Sequence, residues 1–153
     1  MPVLLPVSSD DVVQLEEFLR AADLTTSGLD APTVRLWIER DAAGEIVGST
    51  GFELSGSGRH ALLRSVAVRA GARLGGAGSR LARFALDEAG AAGARTAWLF
   101  SRRSGPFWQR LGFAPADREA LVEALPDAHQ VRLFTRTGQL EREVAWSRRL
   151  PAS

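Results

Sequence analysis

The chain has 153 residues and a mass of 16.5 kDa, the size of a single domain with one core. Its 45% apolar and 24% charged residues exclude a disordered or fibrous chain. Nineteen basic against eighteen acidic residues leave a net charge of +1, too small an excess for non-specific phosphate binding, so neither nucleic acid nor an anionic membrane is expected as a partner.

Every basic residue is arginine and there is no cysteine. A Schiff-base lysine, a P-loop, a thiol nucleophile, a disulfide framework and a zinc knuckle are therefore all excluded. His60 and His129 are too few and too far apart in sequence to suggest a metal site.

Met1 to Val7 runs at once into Ser8, Ser9, Asp10 and Asp11, unlike a secretory signal, and no apolar run approaches the roughly 18 residues of a membrane span. A cytoplasmic chain is the expectation. Val3 to Val7 reads as a short strand. Ser8 can cap a helix whose stripe Leu15, Phe18, Leu19 and Ala22 follows helical spacing and stops near Asp23.

Leu24 to Pro32 is a loop, and Val34, Leu36 and Ile38 then alternate with Arg35, Trp37 and Glu39 as a strand with one wet face. Turns at Asp41 to Gly44 and Ser55 to Gly58 set off a second strand, Ile46 to Leu54. The nearly continuous apolar run Ala61 to Val68, interrupted by Arg64, predicts a central strand covered on both faces.

A glycine-rich turn, Arg69 to Gly78, leads into a helix reaching about Ala92, and Thr96 to Phe100 is a further buried strand. Strand, crossover helix and strand imply one right-handed parallel pair within an otherwise antiparallel sheet. Gly105 to Leu111 and Arg118 to Leu125 are predicted helices. Gln130 to Thr135 and Glu143 to Trp146 are predicted strands closing the sheet around a Thr137-Gly138 turn.

The chemistry concentrates in Arg73-Leu74-Gly75-Gly76-Ala77-Gly78-Ser79. A glycine loop feeding a helix N-terminus offers bare backbone N–H groups and a partial positive charge to a polyphosphate. A Walker loop needs a lysine absent here, and a dinucleotide fingerprint needs a glycine where Leu81 stands. A plain tight connection is the alternative.

Arginine, two residues, glycine, one residue, glycine, preceded by Val66-Ala67-Val68, resembles the acetyl-coenzyme A binding motif of the GNAT acetyltransferase superfamily. Phe107-Trp108-Gln109-Arg110-Leu111-Gly112-Phe113 resembles that family's second signature. Within the superfamily, Ala22 to Leu29, Ala61 to Val68 and Phe107 to Phe113 look most like arsinothricin N-acetyltransferases and related small-amino-acid acetyltransferases.

The resemblance implies an α/β fold: a mixed, mostly antiparallel twisted sheet of six or seven strands, helices on both faces, and a central V-shaped cleft. It implies acetyl-coenzyme A as co-substrate, held by Val66, Ala67, Val68, Arg73, Leu74, Gly75, Gly76, Ala77, Gly78, Ser79 and Trp108. The implied reaction is direct acetyl transfer to an amine, with the Val66 amide polarising the thioester. Homodimers are common among such proteins, with Glu143 to Trp146 as a possible contact.

Many relatives carry a tyrosine where Trp108 stands, and this chain has none, so the Ser104 hydroxyl or water is left to protonate the thiolate. Arg64 in a buried strand needs an anionic partner, either Glu53 or a ligand carboxylate. The second alternative favours a small acidic or amino-acid substrate, with Arg35 and Thr26 as further contacts. A base is needed for the ammonium form of the acceptor, and Glu53 and His60 are the candidates. A protein N-acetyltransferase and a non-catalytic acyl-coenzyme A binding module remain as alternatives.

Overall fold

The computed structural model describes residues 3–70 and 76–151. The alternating stretch forms strand β2 (Val34–Arg40), which buries Val34, Leu36 and Ile38 with Leu15 and Leu19 of helix α1 (Val12–Ala21). The start of α1 is fixed by Ser8, whose backbone N–H and hydroxyl donate to Asp11 Oδ2 at 2.9 and 3.0 Å. Those bonds, with the Arg40 guanidinium at 2.8 Å, hold the Asp11 carboxyl below the usual carboxylate range.

On one side β2 pairs with β1 (Leu5–Pro6) and on the other with β3 (Ile46–Leu54), both antiparallel. The remaining elements follow as β4 (His60–Leu63), β5 (Ala67–Val68), α2 (Ala77–Ala91), β6 (Thr96–Phe100), α3 (Gly105–Arg110), β7 (Ala114–Ala116), α4 (Arg118–Ala124), α5 (His129–Thr137) and β8 (Ala145–Arg149). They form one eight-stranded sheet of order β1-β2-β3-β4-β6-β8-β7, with β5 on β3. The parallel pair is β4 and β6, connected through α2 as expected. No described helix is long and apolar enough to cross a membrane.

Opposite pleats separate two layers. Phe52 and Leu63 pack with Ala82, Ala85 and Leu86 of α2, whereas Leu62 packs with Leu121 of α4, Leu125 and Val131 of α5. Thr50 Oγ1 donates to the Leu81 carbonyl at 2.7 Å, pinning the first turns of α2 to β3.

Four expectations are corrected. Gln130 to Thr135 is not a strand but the body of α5, because Val131 and Phe134 lie three residues apart and share a buried helical face. Gly138, at φ 77°, is the left-handed C-cap of that helix rather than a hairpin turn, and both motifs use the same glycine conformation. The run Ala61 to Val68 is two strands, not one. With β7 also present, the strand count rises to eight.

The interruption falls at Arg64. The register pairs Phe52 with Leu63 and Ser49 with Ala67, so three steps along β3 face four steps along the other chain. One extra residue is accommodated by a bulge, with Ser65 at φ 59°. Ser49 Oγ caps the Ser65 carbonyl at 2.6 Å, and the Arg64 N–H reaches the Gly51 carbonyl at 3.0 Å. Parallel pairing with β6 stops at Leu62 and Trp98, and beyond it the two strands separate.

Gly51 lies under β2 with no space for a side chain: a Cβ there would stand 2.3 Å from the Arg35 carbonyl oxygen and 2.5 Å from Leu36 Cδ2. Gly51→Ala is expected to cost about 2 kcal/mol, lowering the melting temperature by about 4–8 °C in thermal unfolding followed by circular dichroism.

Candidate active site

The gap between β5 and β6 is a cleft of about 700 Å³, running from the N-terminus of α2 to the bulge. Leu63 to Val68 form one wall and Leu99 to Ser101 the other, while Phe107 and Trp108 close it from α3. Val66 makes no hydrogen bond to another described residue. Its backbone is thus available to a molecule in the cleft.

Gly76, Gly78 and Ser79 bring the start of α2 to the same cleft. Gly76 is the N-cap at φ 79°, and a Cβ there would meet nothing within 4 Å. The N–H groups of Ala77, Gly78 and Ser79 occupy the first helical turn, which has no intrahelical acceptors. Arg73, Leu74 and Gly75, expected in the same cradle, lie outside the described residues. Arg80 is turned away, its guanidinium forming a two-pronged pair with Glu39 on β2.

Beyond the bulge, on the α5 side of the sheet, lies a buried charge cluster. Glu53 is 1% exposed. Its carboxylate accepts from the His129 backbone N–H at 2.9 and 3.2 Å, from Thr33 Oγ1 at 3.3 Å, and stands 2.8 Å from His129 Nδ1. Arg64 Nη1 is 3.9 Å from Glu53 Oε1, too far for a hydrogen bond.

Among the described residues the Arg64 guanidinium donates only from Nε, to Ser65 Oγ at 3.3 Å, and both η nitrogens are buried without an acceptor. Burial lowers its pKa to about 10 against the raising influence of Glu53. Of the two partners weighed for Arg64, Glu53 thus supplies opposite charge but leaves the guanidinium's donors unmet.

A loop closes this end. Gln130 Nε2 on α5 donates to Thr25 Oγ1 at 2.8 Å, and both Gln130 and Leu24 line the cleft. Gly28, at φ 71°, passes so close to His129 that a Cβ would fall 2.5 Å from the ring. At the mouth, exposed Arg103 reaches exposed Asp23 at 3.3 Å.

The structure gathers Arg64, Val66, Ala67, Val68, Gly76, Gly78, Ser79, Ser104 and Trp108 around the cleft. Ala77 sits within the same helical turn. Glu53 stands behind Arg64, and Thr26 is half-buried in the closing loop without lining the cleft. Arg35 does not join Arg64: it alternates with inward Val34 and Leu36, so it projects from the α2 side of the sheet while Glu53 faces α5.

His60 is also removed from the reaction end. It pairs with Thr96 at the opposite end of β4 and accepts from the Trp98 indole at 3.1 Å. Sequence reading missed Gln130, which lines the cleft, because Gln130 to Thr135 reads as a strand; it also missed His129, which does not line the cleft but is bound to Glu53 beside Arg64. Among the described residues no cluster of three or more acidic or histidine side chains is arranged to hold a metal.

The model of the acetyltransferase (GNAT) family matches residues 7–113. No curated protein matches the sequence. A GNAT-family acetyltransferase from Staphylococcus aureus Mu50 superposes with a TM-score of 0.77 at 14% identity, covering 99% of this chain and 100% of that one. N-acetylglutamate synthase from Neisseria gonorrhoeae, complexed with coenzyme A and N-acetyl-glutamate, superposes with a TM-score of 0.74 at 16% identity. That match covers 99% of this chain and 35% of the synthase, so the chain spans about a third of the synthase's length. A nourseothricin acetyltransferase gives 0.63 at 16% identity, covering 98% and 99% of the two chains. These structural likenesses are likenesses of fold.

The buried cluster makes an asymmetric prediction. Glu53→Ala strands the Arg64 guanidinium in the interior and is expected to cost about 3–5 kcal/mol. Arg64→Met fills the same space with an apolar chain and leaves Glu53 its His129 and Thr33 donors, so it should cost less than half as much. Urea unfolding of both variants and of the double substitution measures the difference.

Proposed function

The chain belongs to the acetyltransferase (GNAT) family, and from that premise we propose that it moves an acetyl group from acetyl-coenzyme A to the primary amine of a small acceptor bearing a carboxylate or similar anion. The observation carrying the acceptor class is the Arg64 guanidinium: Arg64 lines the cleft, and its two η nitrogens are buried without acceptors among the described residues. A carboxylate seated there gains charge-assisted hydrogen bonds from donors already stripped of water. The synthase neighbour bound to N-acetyl-glutamate supports this class, as does the sequence likeness to arsinothricin-type enzymes.

The cleft fits the co-substrate at both ends. The first-turn N–H groups of Ala77, Gly78 and Ser79, preceded in sequence by Arg73-Leu74-Gly75-Gly76, are the donors for the pyrophosphate. The β5 wall, from Val66 to Val68, is the edge along which the pantetheine arm adds in strand fashion, with Trp108 packing against it from α3. When bound, the thioester supplies an acetyl group activated enough for an amine to attack it without an enzyme nucleophile.

The unused Val66 N–H stabilises negative charge developing on the carbonyl oxygen. Ser104, the N-cap of α3, brings a hydroxyl to the cleft at the end where the thiolate departs. A thiol has a pKa of about 8.5, so its thiolate leaves without a strong acid beside it. The shortfall left by Trp108 is correspondingly small.

Calorimetry with acetyl-coenzyme A is expected to show binding that Gly76→Trp abolishes. A thiol-release assay across small amines should show turnover with carboxylate-bearing acceptors. Arg64→Met should raise KM for these by about ten- to a hundredfold while leaving coenzyme affinity unchanged. Coenzyme binding with a blank amine panel would favour the acyl-coenzyme A binding module instead.

A further inference from the structure

The ionised carboxylate of Glu53 can only accept hydrogen bonds, so the 2.8 Å contact with His129 places the ring proton on Nδ1. In the neutral ring Nε2 is then the nitrogen with the lone pair, and no described residue bonds to it. The ring is held on three sides: its own backbone N–H is bound to Glu53, Glu53 is bound to Thr33, and Gly28 lies across the imidazole face. The side chain nevertheless remains 31% exposed.

Glu53 has little capacity left to act on a substrate. It is 1% exposed, and its oxygens already serve His129, Thr33 and the charge of Arg64. His129 shares the carboxylate with Arg64 and precedes Gln130, which lines the cleft. A carboxylate-oriented imidazole beside an anion-binding guanidinium is an arrangement for moving a proton from an acceptor that carries both charges.

Resting on the acetyl-transfer reading above, we propose that His129, rather than Glu53 itself, takes the proton from the acceptor's ammonium group, with Glu53 as its positioning residue. One proton passes from nitrogen to Nε2, directly or through one water, before attack. The carbon–nitrogen bond forms as the carbon–sulfur bond breaks, the second amine proton goes to the departing sulfur through solvent, and the imidazolium releases its proton to water. The balance is ammonium, thioester and neutral imidazole in, and amide, thiol and imidazolium out. The charged groups facing His129 from other elements are Glu53 on β3 and, beyond it, Arg64 at the bulge; the loop meets the ring through the Gly28 backbone.

The test compares β-alanine, an ammonium at neutral pH, with aminooxyacetate, a carboxylate-bearing acceptor of similar length that is already unprotonated there. His129→Gln, and His129→Asn as a second variant, should lower kcat for β-alanine about a hundredfold or more and leave acetyl-coenzyme A binding intact. With aminooxyacetate both variants should stay within a few-fold of the native protein. Imidazole nitrogen NMR on the full chain should show the Nδ1–H tautomer, lost in Glu53→Gln.

Unchanged kcat for β-alanine, or an equal loss with both acceptors, overturns the role of His129 while the acetyl-transfer reading stands. A native protein that binds acetyl-coenzyme A and acetylates neither acceptor overturns the reading and the role together.

Discussion

The architecture depends on one surplus residue. Strand pairing on β3 is satisfied up to Leu63 and again from Ala67, and the chain between them is one residue too long for the register. That excess breaks the parallel ladder with β6, leaves Val66 without a partner among the described residues, and puts an arginine into the interior. Opening a sheet at its centre normally leaves orphaned backbone groups. Here Ser49 Oγ and the Gly51 carbonyl meet the groups at the bend itself, and the remainder face the cleft.

The buried charges follow from that bend. Removing a guanidinium from water costs several kcal/mol unless opposite charge and acceptors are supplied, and Glu53 supplies the charge from 3.9 Å. The carboxylate is in turn stabilised by the α5 N-terminus through the His129 N–H, where the helix dipole favours negative charge. Three distant segments, at residues 53, 64 and 129, thereby share one electrostatic arrangement. Among the described residues the guanidinium's η nitrogens stay short of acceptors, so the charge is balanced more completely than the donors are satisfied.

The sequence revealed most of the scaffold because hydrophobic period and glycine placement encode it locally. Alternation at Val34, Leu36 and Ile38 and the helical stripe of α1 were legible, and so were the strand-glycine-helix order and the aromatic signature at Phe107 to Phe113. Arg64 stood out because a charge in an apolar run demands a partner. His129 did not, since its partner is a carboxylate 76 residues away and no short-range spacing records that. The strand reading of Gln130 to Thr135 failed because Val131 and Leu133 fit a two-residue period while Val131 and Phe134 fit a helical one. The packing of Phe134 against Phe100, with ring centroids 5.2 Å apart, decides between them.

The outermost strands carry a consequence for how the molecule meets other chains. β1 is two residues long and contains Pro6, and β7 is three residues long and contains Pro115. Proline cannot donate to a further ladder, so both rims are poor templates for edge-to-edge stacking. The two ends of the strand order are thus blunted by sequence, while the opening between β5 and β6 lies in the interior of the sheet.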